Sequence, residues 1–269
     1  MLQRLGGACL LSAASALGQD DIAIIWADFL GWLKSAKPSQ DPGVLIRGYR
    51  RHLLERGVPD QEAGSRIARI MERMRTNSDG WRQIFNNIYA SADGGFSTRP
   101  NALLVSAVEN RTPGKALDAG MGQGRNSIFL AAKGWQVTGF DISDGGIQIA
   151  QKNAASAGLK INTIVADGAH FDYGSSRWDL IVITYEPFPV SDPGSVQRIR
   201  DALRPEGFLV VESFASDEGT AGRKPVDIDP ARLLRAMLPL RILRLEDTVD
   251  IADWTLEKAR LVRLVAQKP

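Results

Sequence analysis

The sequence predicts an α/β protein, a doubly wound and mostly parallel seven-stranded sheet preceded by an N-terminal helical extension. Three observations predict it. Beyond residue 115, short apolar runs alternate with helical segments to the end of the chain, the pattern of parallel strands joined by helices that cover both sheet faces. The first of those runs leads through Gly120-Met121-Gly122-Gln123-Gly124 into an apolar helix at Ile128 to Lys133, a strand, tight turn and helix in succession. Before residue 81, by contrast, apolar residues recur at helical spacing with no strand pattern. A chain of 269 residues has room for one domain of ordinary size plus such an extension.

The chain divides into three stretches. Residues 1–20 read as a leader or a flexible tail: Met1 to Arg4 form a short positive head, Leu5 to Leu17 are small and apolar, and Ala16-Leu17-Gly18 resembles a small-residue cleavage site. Residues 21–80 form the helical extension. Ile22, Ile25, Trp26, Phe29, Leu30 and Leu33 make one apolar stripe, and the turn residues from Lys37 to Gly43 end that helix. A second helix is expected from Val44 to Arg56. A third starts with Asp60 as its N-cap and carries Ile67, Ile70, Met71 and Met74. Arginines 47, 50 and 51, and again 66, 69 and 73, fall at helical spacing and read as solvated faces.

Residues 81–269 carry the sheet. Trp81, Phe85, Ile88 and Tyr89 lie on a helix that leads to a glycine- and serine-rich loop from Ala90 to Arg99, a lid candidate. Pro100-Asn101 opens a helix over Ala102 to Glu109, and Arg111-Thr112-Pro113-Gly114 turns the chain into the sheet. Strands are expected at Ala116 to Ala119, Gln136 to Asp141, Asn162 to Ala166, Asp179 to Tyr185, Phe208 to Ser213, Ile242 to Glu246 and Leu261 to Ala266.

Composition narrows the function classes. The 33 basic and 31 acidic residues nearly cancel, so no electrostatic footprint for a polyanion exists and nucleic acid is not expected as a partner. One cysteine, Cys9, excludes internal disulfides, and with two histidines no metal site is expected. His170 reads as a solvated loop residue and His52 as structural. No apolar run reaches the length of a membrane span.

The glycine turn lets a ligand lie against backbone N–H groups at a helix start. A dinucleotide fingerprint would need glycine or alanine at 125, where this chain has Arg125. Asp118, just before the turn, would repel a pyrophosphate and attract an ammonium. Asp141 ends the second strand 21 residues after Gly120, where an acidic residue binds ribose hydroxyls in nucleotide-binding units; the alternative role of N-cap can be filled by Ser143 or Asp144. Asp167 ends the third strand. Ligands of open parallel sheets bind outside the carboxyl ends of the strands, so the three carboxylates converge on one crevice.

These residues resemble the motifs of class I S-adenosylmethionine-dependent methyltransferases, over roughly residues 81 to 267. The resemblance implies the Rossmann-like methyltransferase fold and S-adenosylmethionine as cofactor. It implies that Asp118, Gly120, Gly122 and Gly124 hold the methionine portion, that Asp141 grips the ribose, and that Asp167 and Gly168 face the adenine with Ile142 packed on the ring. Trp178 to Val182 and Leu203 to Phe208 are similar to the family's fourth strand and to the turn before its fifth. Gly122 to Ser127, with Trp81 to Tyr89 and Pro100-Asn101 upstream, resemble the small-molecule branch related to tellurite-resistance and thiopurine methyltransferases. The three helices before Trp81 have no counterpart in it.

Methyl transfer from a sulfonium is an in-line displacement that mainly needs the acceptor held close in a water-poor pocket. The segment Thr184-Tyr185-Glu186-Pro187-Phe188-Pro189 follows the fourth strand, where the acceptor is expected. Tyr185 is a candidate cofactor contact, Phe188 a wall, and Glu186 a group that orients or deprotonates the acceptor, or else a solvated loop carboxylate. The asparagine- or aspartate-Pro-Pro-aromatic pattern of amide and base amino methylation is missing there, so the expected acceptor is a small, partly apolar molecule enclosed between the loop Thr184 to Ser191 and the segment around Trp81 to Arg99. A nicotinamide-dependent oxidoreductase, opposed by Arg125, and a binding protein without catalysis are the competing readings. The cofactor's supply places the chain in the cytoplasm, whereas a cleaved leader would export it.

Overall fold

The computed structural model describes residues 19–39, 42–90, 96–188, 190–216 and 227–269. The expected leader at 1–18 and residues 91–95 of the lid candidate lie outside them.

The extension is helical as its spacing predicts. Helices α1 (Gln19–Ser35), α2 (Pro42–Glu55), α3 (Asp60–Thr76) and α4 (Asp79–Tyr89) bury Phe29, Leu33, Tyr49, Leu53, Ile70, Ile84 and Ile88 in a core of their own. The aromatic residues of the α1 stripe are packing: Phe29 meets the Tyr49 ring edge-on at 5.1 Å, and His52 stacks beside Tyr49. One boundary differs from expectation. Pro59, not Asp60, occupies the N-cap of α3, with φ −58° and ψ 145° and no side-chain cap bond. The fixed φ of proline suits that entry, and Asp60 joins Glu62 in the first turn, where negative charge complements the helix dipole.

The sheet is built from β1 (Lys115–Ala119), β2 (Gln136–Asp141), β3 (Asn162–Val165), β4 (Trp178–Thr184), β5 (Leu203–Ala215), β6 (Asp227–Ile228), β7 (Arg241–Ile251) and β8 (Lys258–Gln267). Its order is β3-β2-β1-β4-β5-β8-β7, with β6 appended to β5. The first five strands pair in parallel, and β8 runs antiparallel to both β5 and β7. Seven strands fall where the sequence places them; the eighth, β6, is two residues long and too short to carry a periodic signal.

Helices α5 (Ala102–Val108), α6 (Arg125–Ala132), α7 (Asp144–Ser156), α8 (Pro193–Ala202) and α9 (Pro230–Met237) complete the fold. Alternate strand residues enter different cores. Leu117, Ile181, Ile183, Leu209 and Val211 pack with α8 and α9, whereas Ala116, Leu180, Val182, Phe208 and Val210 pack with α5 and α6. Both sheet faces are therefore covered, which is why the central strands read as near-continuous apolar runs.

Strand β1 lies between β2 and β4, so the chain winds away from it in both directions. That reversal opens a crevice outside the carboxyl ends of β1 and β4, and the site is there.

Candidate cofactor and acceptor site

The turn after β1 depends on its glycines. Gly120, Gly122 and Gly124 have φ of 66°, 51° and 85°, left-handed values that a side chain disfavours. Gly124 is also the N-cap of α6, and a Cβ there would stand 2.9 Å from the Cβ of Ala150. The missing side chain thus lets α6 and α7 approach. A Cβ on Gly120 would collide with the Glu186 side chain, and one on Gly122 with the Tyr89 hydroxyl.

Three aspartates edge this turn. Asp118 is 1% exposed; its Oδ2 accepts a hydrogen bond from Ser127 Oγ at 2.7 Å, while its Oδ1 is buried without a partner. Burial pushes its carboxyl up to about 6, against the pull of the Ser127 bond and of Arg125. Asp141 accepts from Gly122 N and Ser143 N, both at 2.8 Å, so it also fastens the glycine turn to the end of β2. Burial raises its pKa to about 6 despite those two bonds. The N-cap of α7 is Ser143, whose Oγ accepts from Gly146 N at 2.9 Å, which leaves Asp141 free of that task.

Asp167 is more open. Burial raises its pKa, but the Ala169 N–H, the Ser78 hydroxyl and His170 outweigh that and hold it below the ordinary value. His170 itself is a solvated loop residue, 86% exposed, with Nδ1 3.4 Å from Asp167 Oδ2. Gly168 and Ile142 are half-buried beside these groups. Glu186 reaches into the same crevice. Burial and the negative charges of Asp141, Asp167 and Asp118 push its carboxyl well above the ordinary value. The structure therefore gathers Asp118, Gly120, Gly122, Gly124, Asp141, Asp167, Gly168 and Glu186 around one space.

Helix α4 crosses the mouth of the crevice: Ser78, at its N-cap, meets Asp167, Asn86 Nδ2 donates to Asp144 Oδ1 at 2.7 Å, and Asn86 Oδ1 accepts from Ser143 Oγ at 2.6 Å. Tyr89 then ends the helix over Gly122 and Gly146. The sequence offers the segment around Trp81 to Arg99 as one wall of the acceptor pocket; what it does not offer is the polar contacts of α4, because no local pattern says which groups a helix end will meet.

Tyr185 and Phe188 fall elsewhere. Tyr185 has a left-handed backbone, φ 56°, and its ring packs against Phe214 and Trp254. Its hydroxyl donates to the buried Glu212 Oε1 at 2.6 Å, which also accepts from Asn101 Nδ2. Burial and the Glu212 carboxylate raise the Tyr185 hydroxyl far above its ordinary value. The ring stacks on Trp254 at 5.4 Å, and Trp254 stacks in turn on Phe96 at 4.1 Å. Arg125 fixes this group to the glycine turn through Asp253, Nη2 to Oδ1 at 2.9 Å, and Gln123 donates to Phe96 O. Phe188 is a core residue beneath β4. It lines a cavity of about 20 Å³ with Ala119, Gly168 and Glu186, which has room for a water molecule.

A family model described as a methyltransferase domain matches residues 116–207, the stretch that supplies the glycine turn and all three aspartates. A ubiquinone biosynthesis O-methyltransferase of Shewanella pealeana is 30% identical over 166 residues, which are 57% of this chain and 69% of that protein. The chain belongs to the class I S-adenosylmethionine-dependent methyltransferases. It is similar to TehB over part of its length. A probable S-adenosyl-L-methionine-dependent methyltransferase TehB of Haemophilus influenzae is 32% identical over 121 residues, 43% of this chain and 41% of that one. The solved structure of TehB from that organism matches with a TM-score of 0.55 at 20% identity, covering 70% of this chain and 67% of the other, and shows the same fold. A ribosomal RNA small subunit methyltransferase C of Alcanivorax borkumensis is 36% identical over 91 residues, 33% of this chain. The chain spans 27%, 69% and 61% of the lengths of three curated relatives.

S-adenosylmethionine is the cofactor of the family, and the residues present fit it. A buried, unpartnered carboxylate oxygen beside a glycine cradle suits an ammonium, and the carboxylates around it suit a cation. Among the described residues no helix is long and apolar enough to cross a membrane.

Proposed function

We propose that the protein transfers the methyl group of S-adenosylmethionine to a small, partly apolar acceptor. The observation that carries this reading is Asp118 Oδ1, buried without a partner at the end of β1. Leaving such an atom unpaired is costly, and the α-ammonium of the cofactor answers it. The backbone of Gly120, Gly122 and Gly124 takes the rest of the methionine portion. Asp141 has lone pairs to spare beyond its two N–H bonds and accepts from the ribose hydroxyls. Asp167 and Gly168 face the adenine, and Ile142 packs on it.

When bound, the cofactor would supply an electrophilic methyl carbon, to which the acceptor's lone pair would bond as the carbon–sulfur bond breaks and its electrons stay on sulfur. What the chain adds is position and a proton acceptor. Glu186, two residues beyond β4, takes the acceptor's proton or orients it. Tyr185, Trp254 and Phe96 wall the acceptor from the β8 side, with Tyr185 fixed through Glu212. Enclosed between this stack and α4, the acceptor is a small molecule, and near-balanced charge gives a nucleic acid nothing to bind. We assign residues 21–80 to the helical extension and 81–269 to the methyltransferase domain, with α4 belonging to both by its contacts.

Titration with S-adenosylmethionine, S-adenosylhomocysteine, methylthioadenosine and NAD(H), followed by incubation with labelled donor and small phenols, thiols, amines and carboxylates, tests the reading. Binding of the first two and transfer to at least one small acceptor is expected. Preference for NAD(H) would overturn the cofactor assignment. Transfer to RNA or protein with none to any small molecule would overturn the acceptor class.

A further inference from the structure

Glu186 occupies space that a ligand of the crevice needs. Its Cβ, Cδ and Oε2 crowd the position of a Cβ on Gly120, and its Oε1 would be 3.3 Å from one on Gly168. The side chain therefore lies across the strand ends, between the turn after β1 and the turn after β3. No hydrogen bond or ion pair holds it among the described residues. The carboxylates that act on it, Asp118 from β1, Asp141 from β2 and Asp167 beyond β3, all share its sign. The Tyr89 hydroxyl from α4 and the Tyr173 hydroxyl are raised by burial and then by its charge, and Arg198 from α8 lines a small cavity with it without bonding to it.

Glu186 is half-buried, and a carboxyl among three others with no hydrogen bond or ion pair is held in place by packing and not by a partner. We propose that Glu186 is a displaceable occupant of the cofactor crevice, whose rotamer over Gly120 competes with the cofactor for that space and which the cofactor turns off the glycine turn when it binds. The inference rests on the cofactor reading above and deepens it. Glu186 thereby comes free to meet the acceptor only once the donor is in place. Turning one side chain between staggered rotamers is a small cost, so the occupant tunes affinity and does not forbid binding.

Calorimetric titration of S-adenosylhomocysteine into the wild-type protein, Glu186→Ala and Glu186→Gln tests it. Glu186→Ala removes the occupant and is expected to bind roughly two- to tenfold more tightly than wild type. Glu186→Gln keeps the bulk and is expected to stay nearer to wild type. Thermal melts of the free proteins check folding, and loss of a repelled carboxyl should not lower the midpoint. Unchanged or weaker binding by a folded Glu186→Ala would overturn the proposal, as would Glu186→Gln tightening as much as Glu186→Ala, because charge and not occupancy would then govern. Failure of every form, wild type included, to bind either S-adenosyl ligand would instead overturn the cofactor reading.

Discussion

Asp118→Asn should make the free protein more stable at pH 7.5 and a poorer binder, and the stability gain should vanish in acid. Asp118 is 1% exposed and titrates near pH 6, where an ordinary aspartate titrates near 3.8. That difference corresponds to about 3 kcal/mol of penalty on the ionised form. The folded-state pKa is raised, so the stability Asp118 contributes is complete below pH 3.8 and is lost as the pH rises through about 6. Asparagine keeps the shape and an acceptor for Ser127 Oγ but carries no charge. It also leaves a buried amide unpaired, at a cost of roughly 1–2 kcal/mol, so the net gain at pH 7.5 is about 1–2 kcal/mol.

For a chain of this size that is on the order of 2–8 °C in Tm. Melts of both proteins between pH 4.5 and 8, without ligand, read it directly, and the two curves should converge near pH 4.5. S-adenosylhomocysteine should meanwhile bind the variant more weakly than wild type, with a smaller loss for methylthioadenosine, which lacks the amino-acid portion and its α-ammonium. A variant less stable than wild type at pH 7.5, or a difference that does not change with pH, would refute the assignment of Asp118 as a carboxylate kept unpaired for a cation.

Asp141→Ala should weaken S-adenosylhomocysteine by about 1.5–3 kcal/mol, the worth of hydrogen bonds to a charged acceptor; unchanged affinity in a calorimetric titration would remove Asp141 from the ribose. Gly124→Ala combines a left-handed φ of 85° with a Cβ 2.9 Å from that of Ala150; it should cost about 2–5 kcal/mol of stability in denaturant melts, and a loss below 1 kcal/mol would mean that α6 and α7 part easily. Tyr185→Phe leaves Glu212 without its hydroxyl donor and should destabilise by about 1–3 kcal/mol, while S-adenosylhomocysteine affinity stays within a few-fold; a large loss of affinity would return Tyr185 to the cofactor.

The parts of this protein that were legible in its sequence are those fixed by local periodicity and by a residue's place at the end of a strand. Asp118 and Asp141 lie at the carboxyl ends of β1 and β2 and Asp167 two residues beyond β3, so topology brings them together, and the glycine turn announces itself because its backbone angles admit little else. The parts that were not legible depend on the sign of one dihedral or on which surfaces dock. Tyr185 and Glu186 are adjacent, and both were candidates for the same pocket. The left-handed turn at Tyr185 sends its ring to Trp254 and Glu212 and leaves Glu186 over Gly120. A tyrosine at positive φ has no sequence signature, because side chains generally avoid that region and it is held there by the bonds it makes, Tyr185 N to Glu212 O and Oη to Glu212 Oε1. Helix α4 illustrates the second limit. Its apolar face was plain, but its polar end, through Asn86 and Tyr89, meets residues some sixty positions away. Helix α4 shares a core with the three helices before it and is bonded to the site, so it has to be counted among the walls of the cofactor crevice.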